Sequence, residues 1–295
     1  PICQVNALRV AGLTWQEARR ARALLAGLVL TSVFLGLYGW GIHAAATEVA
    51  KSQLAEEASV ARRLNIDLMP VIWGQALSAG LYGVAGIGAL LAIILGAPSI
   101  ARDIENGTMQ LLASRPLGRW EIVAGKWLGG CALLGSYAGV AGACTCALTW
   151  SATGYLPENP VLVVVALAMQ SVVLHSLTIA LSSALPTIAA GVVAVITHGI
   201  IVVAGFGERI GILIDSQTLK RTGLVASLIL PSDVAWQLAA SEAQPPNPLS
   251  ATGTIVPMGP FDVLSAPHPF FIAYAVAYAL ATLAIASRNL AARDL

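Results

Sequence analysis

Charge is what this chain has least of. Asp, Glu, Lys and Arg make up 11% of its 295 residues, against about 25% in ordinary soluble domains. A soluble protein of this length can bury a large core, but these few charges would not solvate its surface. Cysteine is scarce as well. Cys3, Cys131, Cys144 and Cys146 form no framework of the secreted disulfide kind. Cys144 and Cys146 are two apart on a helix and face different directions, so they read as polarizable packing residues rather than metal ligands. Catalytic signatures are missing too: the sequence contains neither HExxH nor GxSxG. Gly125-Lys126 mimics the end of a phosphate-binding loop, but that motif needs a glycine five residues earlier and Ser or Thr after the lysine. Trp120 and Trp127 stand there instead. GFGERIG at 205–211 misses the dinucleotide spacing and follows no strand.

What is present is apolar surface in long blocks. Hydrophobic residues are 57% of the chain and the mean hydropathy is +0.78. No charge occurs in 23–47, 68–101, 127–157, 159–207 or 263–287. A membrane span needs about 20 apolar residues, so four of these gaps hold one helix each. The gap at 159–207 would make a single helix of about 70 Å, more than twice a hydrocarbon core. SSALPT at 182–187 supplies a turn, with Pro186 breaking the helical pattern. The expectation is an all-α polytopic protein forming one transmembrane domain over 1–295, with spans at 23–43, 77–97, 122–149, 160–181, 187–206 and 269–287.

Orientation follows from the arginines and lysines. With the N-terminus inside, ten of the sixteen basic residues fall on inside segments close to span ends, where the positive-inside rule counts them. Both termini are therefore expected to be cytoplasmic. Trp40, Trp73, Trp120, Trp127 and Trp150 lie near predicted interfaces, as an aromatic belt requires. The first apolar run is longer than the 7–15 residues usual in a signal peptide, and TWQE at 14–17 fits a capping box opening a helix ahead of it. NGT at 106–108 matches a glycosylation acceptor but faces the cytoplasm in this topology.

Ionisable groups within the spans are nearly absent, and any exception suggests function. His175 and His198 are the exceptions; they read either as neutral histidines hydrogen-bonded between helices or as part of a transport path. Small residues abound, in GKWLG at 125–129, GSYAG at 135–139 and at Gly80, Gly83 and Gly86; such spacing permits close helix contact. Outside the membrane, 208–262 forms a long extracytoplasmic segment, of a length usually functional or disordered. Within it Ser232 can cap a short helix that buries Val234, Trp236 and Leu238.

The only sizeable inside loop is 98–121, within SIARDIENGTMQLLASRPLGRWEIVAGKWLG at 99–129. Pro98-Ser99 can start a short helix that Gly107 breaks, and Thr108 can cap a second, TMQLLAS, ended by Pro116. Exposed apolar residues on a short helix rimmed by charge fit a partner's groove; the alternative is a loop lying on lipid headgroups. Here the residues resemble the permease subunits of type-2 ABC transporters. The resemblance rests on Glu105, Gly107, Thr108, Met109, Leu111, Leu112, Pro116, Arg119, Ile122, Gly125 and Lys126. It departs at Gln110, where the family often has Glu. The six-span layout, an amphipathic elbow helix at 7–22 and the basic tail SRNLAARDL extend it along the chain. The outer segment also resembles the subgroup that includes the nitrous-oxide-reductase maturation permease.

The resemblance implies a permease, more an exporter than an importer, that forms the translocation path and catalyses no reaction itself. Its loop would be a coupling helix docking on a separate ATPase subunit. Arg102, Asp103, Glu105, Gly107, Thr108, Met109, Gln110, Leu111, Leu112, Arg115, Pro116 and Arg119 would make that contact, with Met109, Leu111 and Leu112 as apolar anchors. Two cytoplasmic ATPase copies, binding ATP and Mg, would serve two permease chains, identical or related. No cofactor or metal is expected on this chain and no nucleic acid; membrane lipid and an extracytoplasmic partner are its other expected contacts. Thirteen arginines against three lysines point to a high-GC bacterium and its inner membrane. The alternative is an ATP-independent carrier or channel subunit; a membrane-embedded enzyme ranks third, for want of polar catalytic groups.

Overall fold

The computed structural model describes residues 10–15, 22–51, 69–109, 118–245, 261, 263 and 267–292. Among these there are eight long helices and no strand. They are α1 (Arg22–Lys51), α2 (Met69–Glu105), α3 (Arg119–Thr153), α4 (Pro160–Ala184), α5 (Thr187–Leu213), α6 (Gln217–Ile229), α7 (Ser232–Ala243) and α8 (Pro269–Ala291). Six of them, α1 to α5 and α8, are long and apolar enough to cross a membrane, in the order the charge gaps predict. The turn expected at 182–187 is there: α4 ends at Ala184, and α5 starts after Pro186. Residues 10–15 are helical and lie against α3 at Gly129. The remainder of the expected elbow helix, 7–9 and 16–21, is outside the described residues.

Central helix α4 packs against α2, α3, α7 and α8. Three apolar clusters stack along the bundle. Leu77, Leu81, Val163, Leu167 and Trp236 fill one end. Ile87, Leu91, Leu134 and Leu174 fill the middle. Ile100, Met109, Ile122, Ile179 and Leu290 fill the other end, next to the 106–118 connection. Glycines set how closely α1 approaches α2. The Phe34 ring occupies the place a Cβ on Gly83 would need, and Tyr38 does the same at Gly80. Gly135 and Gly139 of GSYAG, by contrast, face open space and contribute no internal contact.

The second helix corrects one expectation. It does not stop at residue 97 and restart at Pro98; it runs unbroken for 37 residues with Pro98 inside it. At 1.5 Å per residue that is about 55 Å, so α2 projects well beyond a hydrocarbon core of about 30 Å. A proline inside a helix removes one N–H and pushes off the carbonyl four residues back. The turn around the proline is also bonded from α4. Ser182 Oγ accepts from Ile100 N at 3.1 Å and from Ala101 N at 2.9 Å, and donates to Ala97 O at 2.7 Å. One buried hydroxyl thus bonds the backbone on both sides of the proline.

At the far end the chain turns back on itself. Asp215 takes a left-handed φ of 54°, α6 returns alongside α5, and α7 leaves α6 at 110°. α7 lies inside the bundle end with Val234, Trp236 and Leu238 buried, the trio expected from sequence. Ser232, though, is the first helical residue and its hydroxyl has no partner, so it makes no cap.

Replacing this hydroxyl tests the packing. Ser182→Ala removes three buried polar contacts between α4 and α2 and is expected to destabilise the protein by about 1–3 kcal/mol, read as a lowered unfolding temperature in detergent.

Candidate functional site: the loop end of the bundle

Every helix end leaves backbone N–H or C=O groups without intrahelical partners. At the loop end, four such ends meet: the last turn of α2, the first of α3, the first of α5 and the last of α8. Three charged side chains flanking the connecting segment, Glu105, Arg119 and Glu121, are bonded to those ends. Glu105, last residue of α2, accepts from Thr187 N at 2.8 Å through one carboxylate oxygen and from Thr187 Oγ1 at 3.0 Å through the other. A carboxylate there also meets the positive end of the α5 dipole. Arg119, first residue of α3, donates to the carbonyls of Leu290 at 2.9 Å and Ala291 at 2.7 Å. That places a cation at the negative end of α8. Glu121 is buried and accepts from Gly118 N at 2.9 Å, closing the start of its own helix.

A further ion pair locks α2 to α3. Lys126 Nζ lies 2.5 Å from Asp103 Oδ2 and also donates to the Ser99 carbonyl, with the two side chains 11% and 25% exposed. Thr108 Oγ1 donates to the Asp103 backbone carbonyl at 3.2 Å and to its Oδ1 at 3.3 Å. Gly107 has φ 71°, the left-handed region that ends helices and that glycine enters without strain. It turns the chain so that Met109 points inward. Met109 is 1% exposed and packs in the cluster of Ile100, Ile122, Ile179 and Leu290.

These positions revise the reading of the loop as a free handle. Met109 is not an exposed anchor but part of this chain's own core. Asp103, Glu105 and Arg119 hold helix ends and so do more than rim a docking surface. Arg102 alone of the loop-end charges in α2 is exposed with no partner among the described residues. Gln110, Leu111, Leu112, Arg115 and Pro116 lie outside the described residues. The partners Thr187 and the Leu290 and Ala291 carbonyls carry no sequence signal of their own; only the tertiary fold brings them to Glu105 and Arg119.

The two membrane histidines are apart in role. His175 on α4 is fully buried, with Nδ1 3.3 Å from the Ala92 carbonyl. Its ring fills a slot between Gly96 of α2 and Gly130 of α3, where side chains would crowd it, and Nε2 has no partner among the described residues. His198 on α5 is half-buried, and its Nδ1 likewise has none among the described residues. No hydrogen bond joins them among the described residues. Nor is there, among those residues, a group of His, Cys, Asp and Glu able to hold a metal ion.

The structure is thus an apolar bundle with six candidate membrane spans, one end of which is organised by charged side chains. A family model described as "ABC-2 family transporter protein" matches residues 8–295. The chain belongs to this family. Comparison with curated proteins found no match. As an ABC-2 permease, the chain is the membrane transport component, not the catalytic one, and permeases of this family work with an ATPase subunit.

In this ABC-2 permease the Asp103–Lys126 pair is half-sheltered, so it should carry more than the small energy of a surface pair. A double-mutant cycle with Asp103→Asn and Lys126→Met, followed by unfolding in detergent, is expected to give a coupling of about 1–2 kcal/mol. Additive effects would show instead that the two groups act independently.

Proposed function

We propose that this permease is the path-forming subunit of an ATP-driven exporter in a bacterial inner membrane, with both termini and the 98–121 loop in the cytoplasm. The loop docks on an ATPase subunit that binds ATP and Mg. Two permease chains and two ATPases make the transporter. The observation that carries this reading is the set of bonds from the loop residues to the ends of α2, α3, α5 and α8. A force applied at 106–118 reaches four helices at once through short polar contacts. A merely solvated connector needs no such bonds. ATP binding, by drawing the ATPases together, would displace these helix ends and switch the bundle between inward and outward access. The segment 208–262 would close the outer exit: α7 sits inside the far end, held to α5 where Arg209 lies 3.6 Å from Asp233. The subgroup likeness of this segment fits contact with an extracytoplasmic partner.

Two experiments test the proposal. For topology, Asn106 and Glu158 are both exposed and lie at opposite ends of the bundle. In a background free of native cysteines, Glu158→Cys is expected to react with an impermeant maleimide from outside, and Asn106→Cys only after permeabilisation. The reverse pattern inverts the assignment. For coupling, Gly107→Pro forbids the left-handed turn, and Leu111→Ala with Leu112→Ala removes apolar side chains of the docking segment. Both are expected to lose co-purification with the cognate ATPase, or its substrate-stimulated hydrolysis in nanodiscs, while the permease still inserts. Unchanged binding and stimulation in both would return the loop to a solvated connector.

A further inference from the structure

Three helices, α5, α6 and α7, converge at the far end, and two carboxylates there are seated on glycine. Gly205, Glu208 and Arg209 share one face of α5. Asp233, second residue of α7 and 8% exposed, rests its carboxylate on Gly205, where a Cβ would meet Oδ2 at 2.8 Å. Glu208 rests on Gly223 of α6, where a Cβ would meet its Oε2 at 2.5 Å. Arg209 is the cation that acts on both acids, and it satisfies neither fully. Its Nη2 lies 3.6 Å from Asp233 Oδ1, while Nη1 is buried with no partner among the described residues. Gln237 Nε2 donates to Asp233 Oδ2 at 2.8 Å but is neutral. One guanidinium thus faces two carboxylates.

We propose that this junction is a proton-sensitive latch: a proton taken up from the surroundings by the Glu208–Asp233 pair holds α7 in the bundle end, and losing it loosens α7. The second carboxylate is a buried charge without its own counter-ion, which is costly; protonating either acid removes it. Burial raises the Asp233 carboxyl above its ordinary value, outweighing Arg209 and Gln237. A carboxyl raised on folding adds stability below its unfolded pKa, and that stability is lost as the pH climbs through the folded value. Acid therefore tightens this latch, where a simple salt bridge would loosen. Tyr82 of α2 also faces both charges. At this end the other titratable groups on helices against α7 are Lys220 and Arg221 of α6 and Tyr274 and Tyr278 of α8; α4 brings none over 160–174. With His198, two turns before Gly205 on α5, these bond to neither acid among the described residues. With the far end outside, as proposed above, the proton comes from the extracytoplasmic space.

The test is hydrogen exchange of α7, followed by mass spectrometry on the full chain in detergent and corrected for the pH dependence of free amides. Wild-type α7 is expected to be about tenfold better protected at about pH 5 than at about pH 8. Asp233→Asn and Glu208→Gln each remove one negative charge and imitate the protonated pair. Both are expected to hold α7 at the wild-type acid level at either pH, and one alone decides if the other does not fold. Glu242→Gln, whose carboxylate faces Asn159 instead, and His198→Gln should keep the wild-type pH dependence. Protection that is equal at the two pH values, or better in base, overturns the proposal. So does an unchanged pH dependence in both charge variants, or its loss in His198→Gln. No ATPase or membrane enters the measurement, so these outcomes leave the transport reading untouched.

Discussion

Helix ends are the weak points of a membrane bundle, because their unpaired N–H and C=O groups sit where the bilayer gives way to water. In this permease the solution at the loop end is ionic. Glu105 takes up the start of α5, Arg119 the end of α8, and Lys126 with Asp103 joins α2 to α3. Each is a charge-assisted hydrogen bond, a kind stronger than a neutral one, and those of Glu105 and Arg119 join elements far apart in sequence. Remove these bonds and the ends still pack through Ile100, Met109 and Leu290, but fewer polar contacts, those of Ser182 and of Asn289 with Ser183, are left to fix their relative rotation. The apolar cluster supplies adhesion; the charges supply position.

The far end is built differently. There α7 enters the bundle and buries Trp236, whose ring meets Tyr82 edge-on at 5.0 Å. Asp233 at the start of α7 is held by Arg209 and by Gln237, whose Nε2 donates to it at 2.8 Å. Arg209 also lies over the Phe206 ring, 5.1 Å from its centroid. The bundle is thus fastened at its two ends, with α4 as the shared axis. Between them, most buried hydroxyls donate to carbonyls of their own helix, as Thr145 does to Ala141 and Thr178 to Leu174, while Trp127 Nε1 donates to Ser176 Oγ at 2.7 Å and joins α3 to α4.

The spans were legible because charge is costly in hydrocarbon: uncharged runs mark helices, and Pro186 divides the one run too long for a single crossing. The buried trio of α7 was legible from its own pattern. Pro98 was not, since a proline reads locally as a helix start; inside α2 its neighbours Ala97, Ile100 and Ala101 are bonded by Ser182, some 80 residues away. Met109 failed for a related reason. In a charged loop an apolar residue reads as exposed, and only the left-handed turn at Gly107 sends it inward. The bonds made by Glu105 and Arg119 were not legible, because the Thr187 N–H and the Leu290 and Ala291 carbonyls are backbone groups, which carry no residue-type signal.

The central claim is that loop charges fix the helix ends as one platform. It is tested most directly by nitroxides at Asn106 and Ile188, both exposed, one just past α2 and one at the start of α5. Dipolar EPR should give a single narrow distance distribution for the wild-type background and a broad one for Glu105→Ala, with helix content unchanged. Equally narrow distributions in both would contradict the account, leaving packing alone to hold the ends in place.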